Sequence, residues 1–246
     1  MIRNLSIALF TFVAACATNP TGTPGTDELA GENGQDGDQS KADAAHDNFT
    51  FIAVEKDAVT CGNPIVCTPY RLTRVNRSSM MCNDNQLHAS CKVKAVSFSK
   101  FSQATQNKIA AAIEAETSGS ATGVQVLVRG NFKIYVDFLA FEATDVWLAQ
   151  RPDGDSTGTF VRIFDRGIRC ITAPCPQFEE GRLNSSRSMT IDGIDFGDAT
   201  TALQNKIYDA TTKADGVIVV GDRTMRSAVS FVEKMRTVGQ AYLPVK

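Results

Sequence analysis

Seven cysteines and two histidines are the residues whose chemistry this chain most narrowly defines. Six of the cysteines fall in close pairs: Cys61 with Cys67, Cys82 with Cys91, and Cys170 with Cys175. An even set of near pairs reads as disulfides in an oxidising compartment. The spacings are not the C-x-x-C of a redox-active pair, and zinc would need four thiolates or imidazoles converging. No metal and no cofactor is expected. His88 lies between Leu87 and Ala89, inside the segment that Cys82 and Cys91 bracket. A nucleophile needs a base beside it, and no G-x-S-x-G elbow is present. A surface-loop histidine is the simpler reading. Acids cluster at Asp192, Asp195 and Asp198 and at Glu179 and Glu180. A carboxylate-based hydrolase would need two of them facing each other across a cleft. Solvated turn and helix-start charges fit better, because Asp195 and Asp198 align with Ser97 and Lys100 elsewhere in the chain. No catalytic residue is assigned.

The seventh cysteine has a different setting. Met1-Ile2-Arg3-Asn4 precedes an apolar stretch over 5–15, which ends Val13-Ala14-Ala15-Cys16. One positive charge before a short apolar core reads as a signal peptide, 1–15, rather than a membrane helix. The ending resembles the bacterial lipobox, in which the cysteine sulfur accepts a diacylglycerol and the freed amine is acylated. That resemblance implies lipidation at Cys16 and a membrane partner through the lipid. Several acyl chains anchor firmly where one is marginal. Ala17 stands where an Asp would retain such a protein at the inner membrane, so the resemblance implies the outer membrane.

Residues 16–47 then form an acidic linker. After Cys16 it holds Asp27, Glu28, Glu32, Asp36, Asp38, Asp43 and Asp47 against Lys41, and Leu29 as its one large aliphatic. Such a stretch buries too little to offset ordering, and like charges extend it. Asp36-Gly37-Asp38 lacks the spaced ligands of a calcium loop, and His46 is a linker residue. Residues 48–246 carry 23 basic and 20 acidic side chains. That excess is too small for a nucleic-acid footprint, so no nucleic-acid partner is expected.

The remaining 199 residues read as two tandem units, 48–150 and 151–246. FIAVEKDAVTC (51–61) matches FVRIFDRGIRC (160–170). Asn76 and Asn184 each stand nine residues after a cysteine, Cys67 and Cys175. Gln106-Asn107-Lys108-Ile109 matches Gln204-Asn205-Lys206-Ile207. Such ordered self-similarity is the mark of duplication. Alternating apolar residues predict strands near 51–59, 70–75 and 92–98, and near 160–168, 178–183 and 189–196. Ile109 and Ile113, one helical turn apart, predict a helix over 102–116, with a partner over 200–212. Strands follow near 124–128 and 217–220, and 134–148 and 228–243 read as a last strand region, though the latter could be partly helical. The expectation is an α+β fold of two duplicated units, each β-β-β-α-β-β: a small antiparallel sheet with one helix on it. The insertion NDNQLHAS, between Cys82 and Cys91, has no counterpart in the second unit. The aromatic residues Phe138, Phe141 and Trp147 read as core before ligand wall. An amide that closes a turn explains Asn76 and Asn184, with ligand contact as the alternative.

Asp165-Arg166-Gly167-Ile168-Arg169-Cys170-Ile171-Thr172-Ala173-Pro174-Cys175-Pro176, with the 51–61 segment and Leu183-Asn184, resembles a family of uncharacterised bacterial lipoproteins. That family carries a domain of unknown function. The resemblance covers most of 50–246 and implies export, lipidation and disulfides, without catalytic residues. The expected function is a non-enzymatic envelope protein that binds a protein or glycan. A second expectation is a protease inhibitor presenting a bridge-closed loop, either Ile171, Thr172, Ala173 and Pro174 or residues 62–66. A third is a hydrolase with carboxylates in the cleft between the units.

Overall fold

The computed structural model describes residues 50–57, 68–135, 138–227 and 231–245. Cys16, the acidic linker with His46, and the Cys61 and Cys67 pair with its loop lie outside the described residues. The first half runs β1 (Ile52–Lys56), β2 (Tyr70–Arg74), β3 (Met80–Met81), β4 (Leu87–His88), β5 (Cys91–Val93), β6 (Ala95–Ser97), α1 (Gln103–Thr117), β7 (Val126–Tyr135) and β8 (Phe138–Ala149). The second runs β9 (Thr159–Asp165), β10 (Phe178–Arg182), β11 (Ser188–Ile191), β12 (Gly193–Asp195), α2 (Thr201–Thr211), β13 (Val217–Gly221), β14 (Arg223–Ser227), β15 (Val232–Thr237) and β16 (Gln240–Pro244).

The α+β expectation of two units, each with its own sheet and helix, is overturned. The protein is mostly β, and one 11-stranded sheet runs through both halves in the order β11-β10-β9-β13-β16-β8-β7-β1-β2-β5, with β6 beside β8. The halves join where β16 pairs antiparallel with β8, Tyr242 opposite Ala149 and Leu243 opposite Leu148. Of the pairs in this sheet, β6 with β8 is parallel. The last strand region expected over 228–243 forms β15 and β16, and the partial helix weighed for it does not appear among the described residues. A three-stranded sheet, β12-β15-β14, and the β3-β4 hairpin stand apart from the main sheet.

The physical reason is that the central strands are apolar on both faces. In β1, Ile52 and Val54 join Ile109 and Ile113 of α1 in one core cluster. Ala53 and the adjoining Phe51 point the other way, into a cluster with Leu127, Trp147, Phe160, Ile218, Val220 and Tyr242. Ile163, Val217 and Val219 pack beneath Ile207 and Ala210 of α2 in a third. A strand with two greasy faces needs cover on both sides. A helix supplies one cover, and the other half of the chain supplies the second. Each helix opens on a hydroxyl cap: Ser102 Oγ accepts from Thr105 N at 3.3 Å and Thr200 Oγ1 from Leu203 N at 3.4 Å. Such caps satisfy donors that a helix start leaves open.

The sheet curls until β1 and β9 come close, although β7, β8, β16 and β13 lie between them in the order. Two buried or half-buried asparagines stitch that seam. Asn184 Nδ2 donates to Phe51 O at 2.8 Å and Val75 O at 2.9 Å, and its Oδ1 accepts from Phe51 N at 2.8 Å. Asn76 does the same in the other direction: Nδ2 donates to Phe160 O at 2.7 Å and Leu183 O at 3.0 Å, and Oδ1 accepts from Phe160 N at 2.9 Å. Both residues adopt the left-handed conformation, with φ of 58° and 57°, which asparagine tolerates better than most side chains.

Candidate functional site

A cleft of about 610 Å³ opens where the first-half end of the sheet meets the β3-β4 hairpin. This size suits a small ligand or a short peptide stretch. One wall is the hairpin, which contributes Met80, Met81, Cys82, Asn83 and Asn85. Its turn is closed by Cys82 N donating to Gln86 O at 3.0 Å and by Asn85 N donating to Cys82 O at 3.1 Å. Asn85 takes a φ of 58° there. The Cys82–Cys91 disulfide ties this hairpin to β5, with the two Cα atoms 5.6 Å apart. The wall therefore combines β3 with the start of the inserted segment and is pinned covalently to the sheet. His88 sits on the outer side of the hairpin, exposed, with Nε2 2.7 Å from Asp84 Oδ2. The bond from Gln86 N and the bond to His88 hold the Asp84 carboxyl below its ordinary pKa.

The floor comes from β1, β2 and β7, through Ile52, Arg74 and the run from Arg129 to Phe132. The β7–β8 pairing shifts register between Arg129 and Gly130. Bulges of this kind re-aim side chains and are common beside functional sites. Gly130 is required by close approach: a Cβ there would lie 2.1 Å from Glu142 O. Arg129 lays its guanidinium over both Phe51 and Trp147, 5.5 Å from each ring centroid, and its Nη2 reaches Asp145 Oδ2 at 3.2 Å. Behind it, Arg162 covers Phe51 at 4.9 Å. Burial, and then the positive charge of Arg129, lower the pKa of Arg162. Arg74 is 7% exposed. Positive charge is thus gathered at this end of the seam, with Asp145 as the acid among the cleft's lining residues. The cleft offers guanidinium groups, side-chain amides and the apolar surfaces of Met80 and Phe132. That combination binds and orients. Among the described lining residues, Thr144 Oγ1 donates to Asp145 Oδ2 at 2.8 Å and to Arg129 O at 3.2 Å.

The residues singled out from the sequence are distributed elsewhere. Asn76 and Asn184 spend their amides on backbone groups at the seam. Cys170 and Cys175 are bridged. Ile171, Thr172, Ala173 and Pro174 are exposed between them, Ile171 completely so, and the Ala173–Pro174 peptide is cis. The base of that loop is braced: Arg169 makes a two-pronged contact with Asp165 at 3.0 and 2.6 Å, and Arg166 Nη1 donates to Pro176 O at 2.9 Å. The acids do not converge. Asp192 accepts from Lys234 N, Asp195 from Gly197 N, and Asp198 pairs with Arg151. Glu180 is buried with Arg236 and Arg223. Burial opposes its ionisation, but the bonds and charges of Arg236 and Arg223 outweigh that and lower its pKa. Among the described residues, no group of three His, Cys, Asp or Glu side chains could hold a metal ion.

Sequence reasoning missed Arg74, Arg129, Asp145 and Met80 as site residues. Two signals pointed toward them. One is the Arg129-Gly130 pair, which ends the apolar run Val126-Leu127-Val128. The other is the cysteine-bracketed insertion, since loops added to a scaffold commonly carry function.

A family model described as "Domain of unknown function (DUF6748)" matches residues 50–246, and the chain belongs to that family. No curated protein and no solved structure matches it.

Proposed function

We propose that this DUF6748 protein is a non-enzymatic binding module of the bacterial cell envelope, anchored to the outer membrane through a lipid on Cys16. The anchoring rests on the resemblance of Val13-Ala14-Ala15-Cys16 to a lipobox and on the acidic linker behind it. The Cys82–Cys91 and Cys170–Cys175 bridges fit an oxidising compartment. The observation that carries the binding role is the cleft, whose wall is a disulfide-pinned hairpin and whose floor is cationic. A pinned wall binds with little ordering cost. The partner is an envelope protein or glycan that enters this cleft.

The test is site-specific photo-crosslinking in the envelope. A photoreactive residue replaces Asn83, on the cleft wall, or Lys213, exposed just beyond α2. A discrete crosslinked product from position 83 and none from position 213 is the expected result. Equal products from both, or none from either, reject the binding module.

A second reading has one specific observation behind it. Ile171 stands fully exposed on a loop closed by Cys170–Cys175 and braced by Arg169 and Asp165, as an extended inhibitory loop would. On that reading the wild-type protein inhibits a protease and Ile171→Asp does not. Absence of inhibition at micromolar protein, across serine, cysteine and metalloproteases, discards it.

A further inference from the structure

The charges that line the cleft are already engaged. Arg129 reaches Asp145 Oδ2 at 3.2 Å, and the same oxygen accepts from Thr144 Oγ1 at 2.8 Å. Arg74 is 7% exposed and, like Arg129, has partners of its own. A charged ligand would have to disturb such pairs and shed its own water, a cost that its new contacts must exceed. The groups left to a ligand are neutral. Asn83, Asn85 and Asn131 line the cleft and are exposed. Among the described residues, their side-chain amides have no hydrogen-bond partner. Each amide sets an acceptor oxygen beside a donor nitrogen, and two neighbouring hydroxyls on a sugar ring answer with a donor beside an acceptor. The amides are also held in place. Asn83 and Asn85 belong to the turn closed onto Cys82 and pinned by the Cys82–Cys91 bridge, and Asn131 lies opposite Glu142 in the β7–β8 ladder. Next to Asn131, the half-buried Phe132 lines the cleft and packs edge-to-face on Phe141, with ring centroids 5.3 Å apart. Its ring gives the C–H face of a sugar a fixed apolar patch. A protein partner would anchor on large exposed apolar side chains. Those of this chain, with Ile134, Ile171 and Met225 the most exposed, are not among the cleft's lining residues.

We infer that the cleft is a saccharide site, and that its ligand is an uncharged oligosaccharide held by the amides of Asn83, Asn85 and Asn131 against the Phe132 ring. The inference rests on the cleft being the binding surface and adds the class of ligand: of protein and glycan, the cleft takes the glycan. No arginine has to give up a partner for this. The Arg129–Asp145 pair stays intact under the ligand, and rigid amides on a bridged turn bind with little ordering cost. The second half of the chain has no counterpart of the segment that carries Asn83 and Asn85. The duplication therefore provides one such site per chain rather than two.

The test titrates the mature full chain with cellotetraose, maltotetraose and chitotetraose, all uncharged, and with tetragalacturonate, an anion of the same length, read by saturation-transfer NMR. At least one uncharged tetrasaccharide is expected to bind, about tenfold more tightly than tetragalacturonate, whose carboxylates bring a desolvation cost that the paired arginines do not offset. Asn83→Ala and Asn131→Ala each weaken that sugar about fivefold or more, the effect of one lost hydrogen bond. Both side chains are exposed, so the urea midpoint of either variant stays at the wild-type value. Lys213→Ala, beyond α2, leaves the affinity unchanged. No binding of any uncharged tetrasaccharide up to about 10 mM, or tetragalacturonate binding as tightly as they do, overturns the ligand class. Unchanged affinity in both asparagine variants overturns the site. A protein product from the position-83 crosslinker, with no sugar bound, leaves the binding module standing and the glycan wrong, so the two failures are separable.

Discussion

Replacing Asn184 tests the stitching of the seam. Its side chain is 0% exposed and makes three bonds, to Phe51 N, Phe51 O and Val75 O. Alanine removes all three. Phe51 O keeps its bond from Val75 N at 3.2 Å, so Phe51 N–H and Val75 C=O bear the loss. A buried polar group deprived of its partner costs about 1–3 kcal/mol. Alanine must also adopt a left-handed φ of 57°, for about 1 kcal/mol more. The expected loss is about 3–7 kcal/mol in total. With a urea dependence of about 2 kcal/mol per molar, the unfolding midpoint falls by about 1.5–3.5 M. Asn184→Gly loses the same bonds without the backbone strain and should be about 1 kcal/mol more stable than Asn184→Ala. Urea unfolding followed by tryptophan fluorescence reads both, since Trp147 packs against Phe51 with ring centroids 5.1 Å apart. A loss under about 1 kcal/mol for alanine, or a glycine variant less stable than the alanine one, would refute the reasoning.

Other expectations concern charge and the hairpin. Burial, and then repulsion from Glu55, raise the Glu116 pKa from 4.5 to about 7, and Glu116 Oε2 has no hydrogen-bond partner among the described residues. The folded protein then holds a proton that the unfolded chain has released, so stability falls as pH rises from about 4.5 to about 7 and levels off above; unfolding measured across that range should be flatter in Glu116→Gln. Glu180→Gln leaves buried Arg236 without its charge partner, and calorimetry should show a loss of about 3–5 kcal/mol. Because the Glu180 pKa is lowered, the wild type should show an acid-side loss of stability as pH falls through the carboxylate range, a loss that Glu180→Gln does not share. Opening the nine-residue Cys82–Cys91 separation with a double serine replacement costs at most about 2.5 kcal/mol in the chain-entropy model. It should also abolish crosslinking from position 83 while leaving the far-ultraviolet circular dichroism unchanged.

Much of the local structure was legible. Ile109 and Ile113, one turn apart, predict a helix over 102–116, and one forms over Gln103–Thr117. The equal spacing of Asn76 and Asn184 from their cysteines singled them out. What spacing does not say is which backbone they bond, because their partners lie 84 to 133 residues away. The assembly differs from the sequence expectation for a related reason. Alternation in 51–59 predicts a strand, and one helix on each unit's sheet covers only one of its faces. The continuous run Val126-Leu127-Val128, fully buried throughout, is the pattern of a strand covered on both sides, and the second cover is the other half of the chain. The cleft was illegible because its residues come from β1, β2, β7, β8 and the hairpin, and only the pairing of β2, β1 and β7 side by side brings Arg74 and Arg129 near each other.

Every functional reading here presupposes an exported, lipid-held chain with oxidised cysteines. Intact-mass analysis of protein recovered from envelope membranes, alkylated without reduction, tests that directly. The expected species begins at Cys16, carries the added mass of a diacylglycerol and an amide-linked acyl chain, and takes up no alkylating agent. A species that begins at Met1 without lipid, or one that alkylates at six thiols, would contradict it.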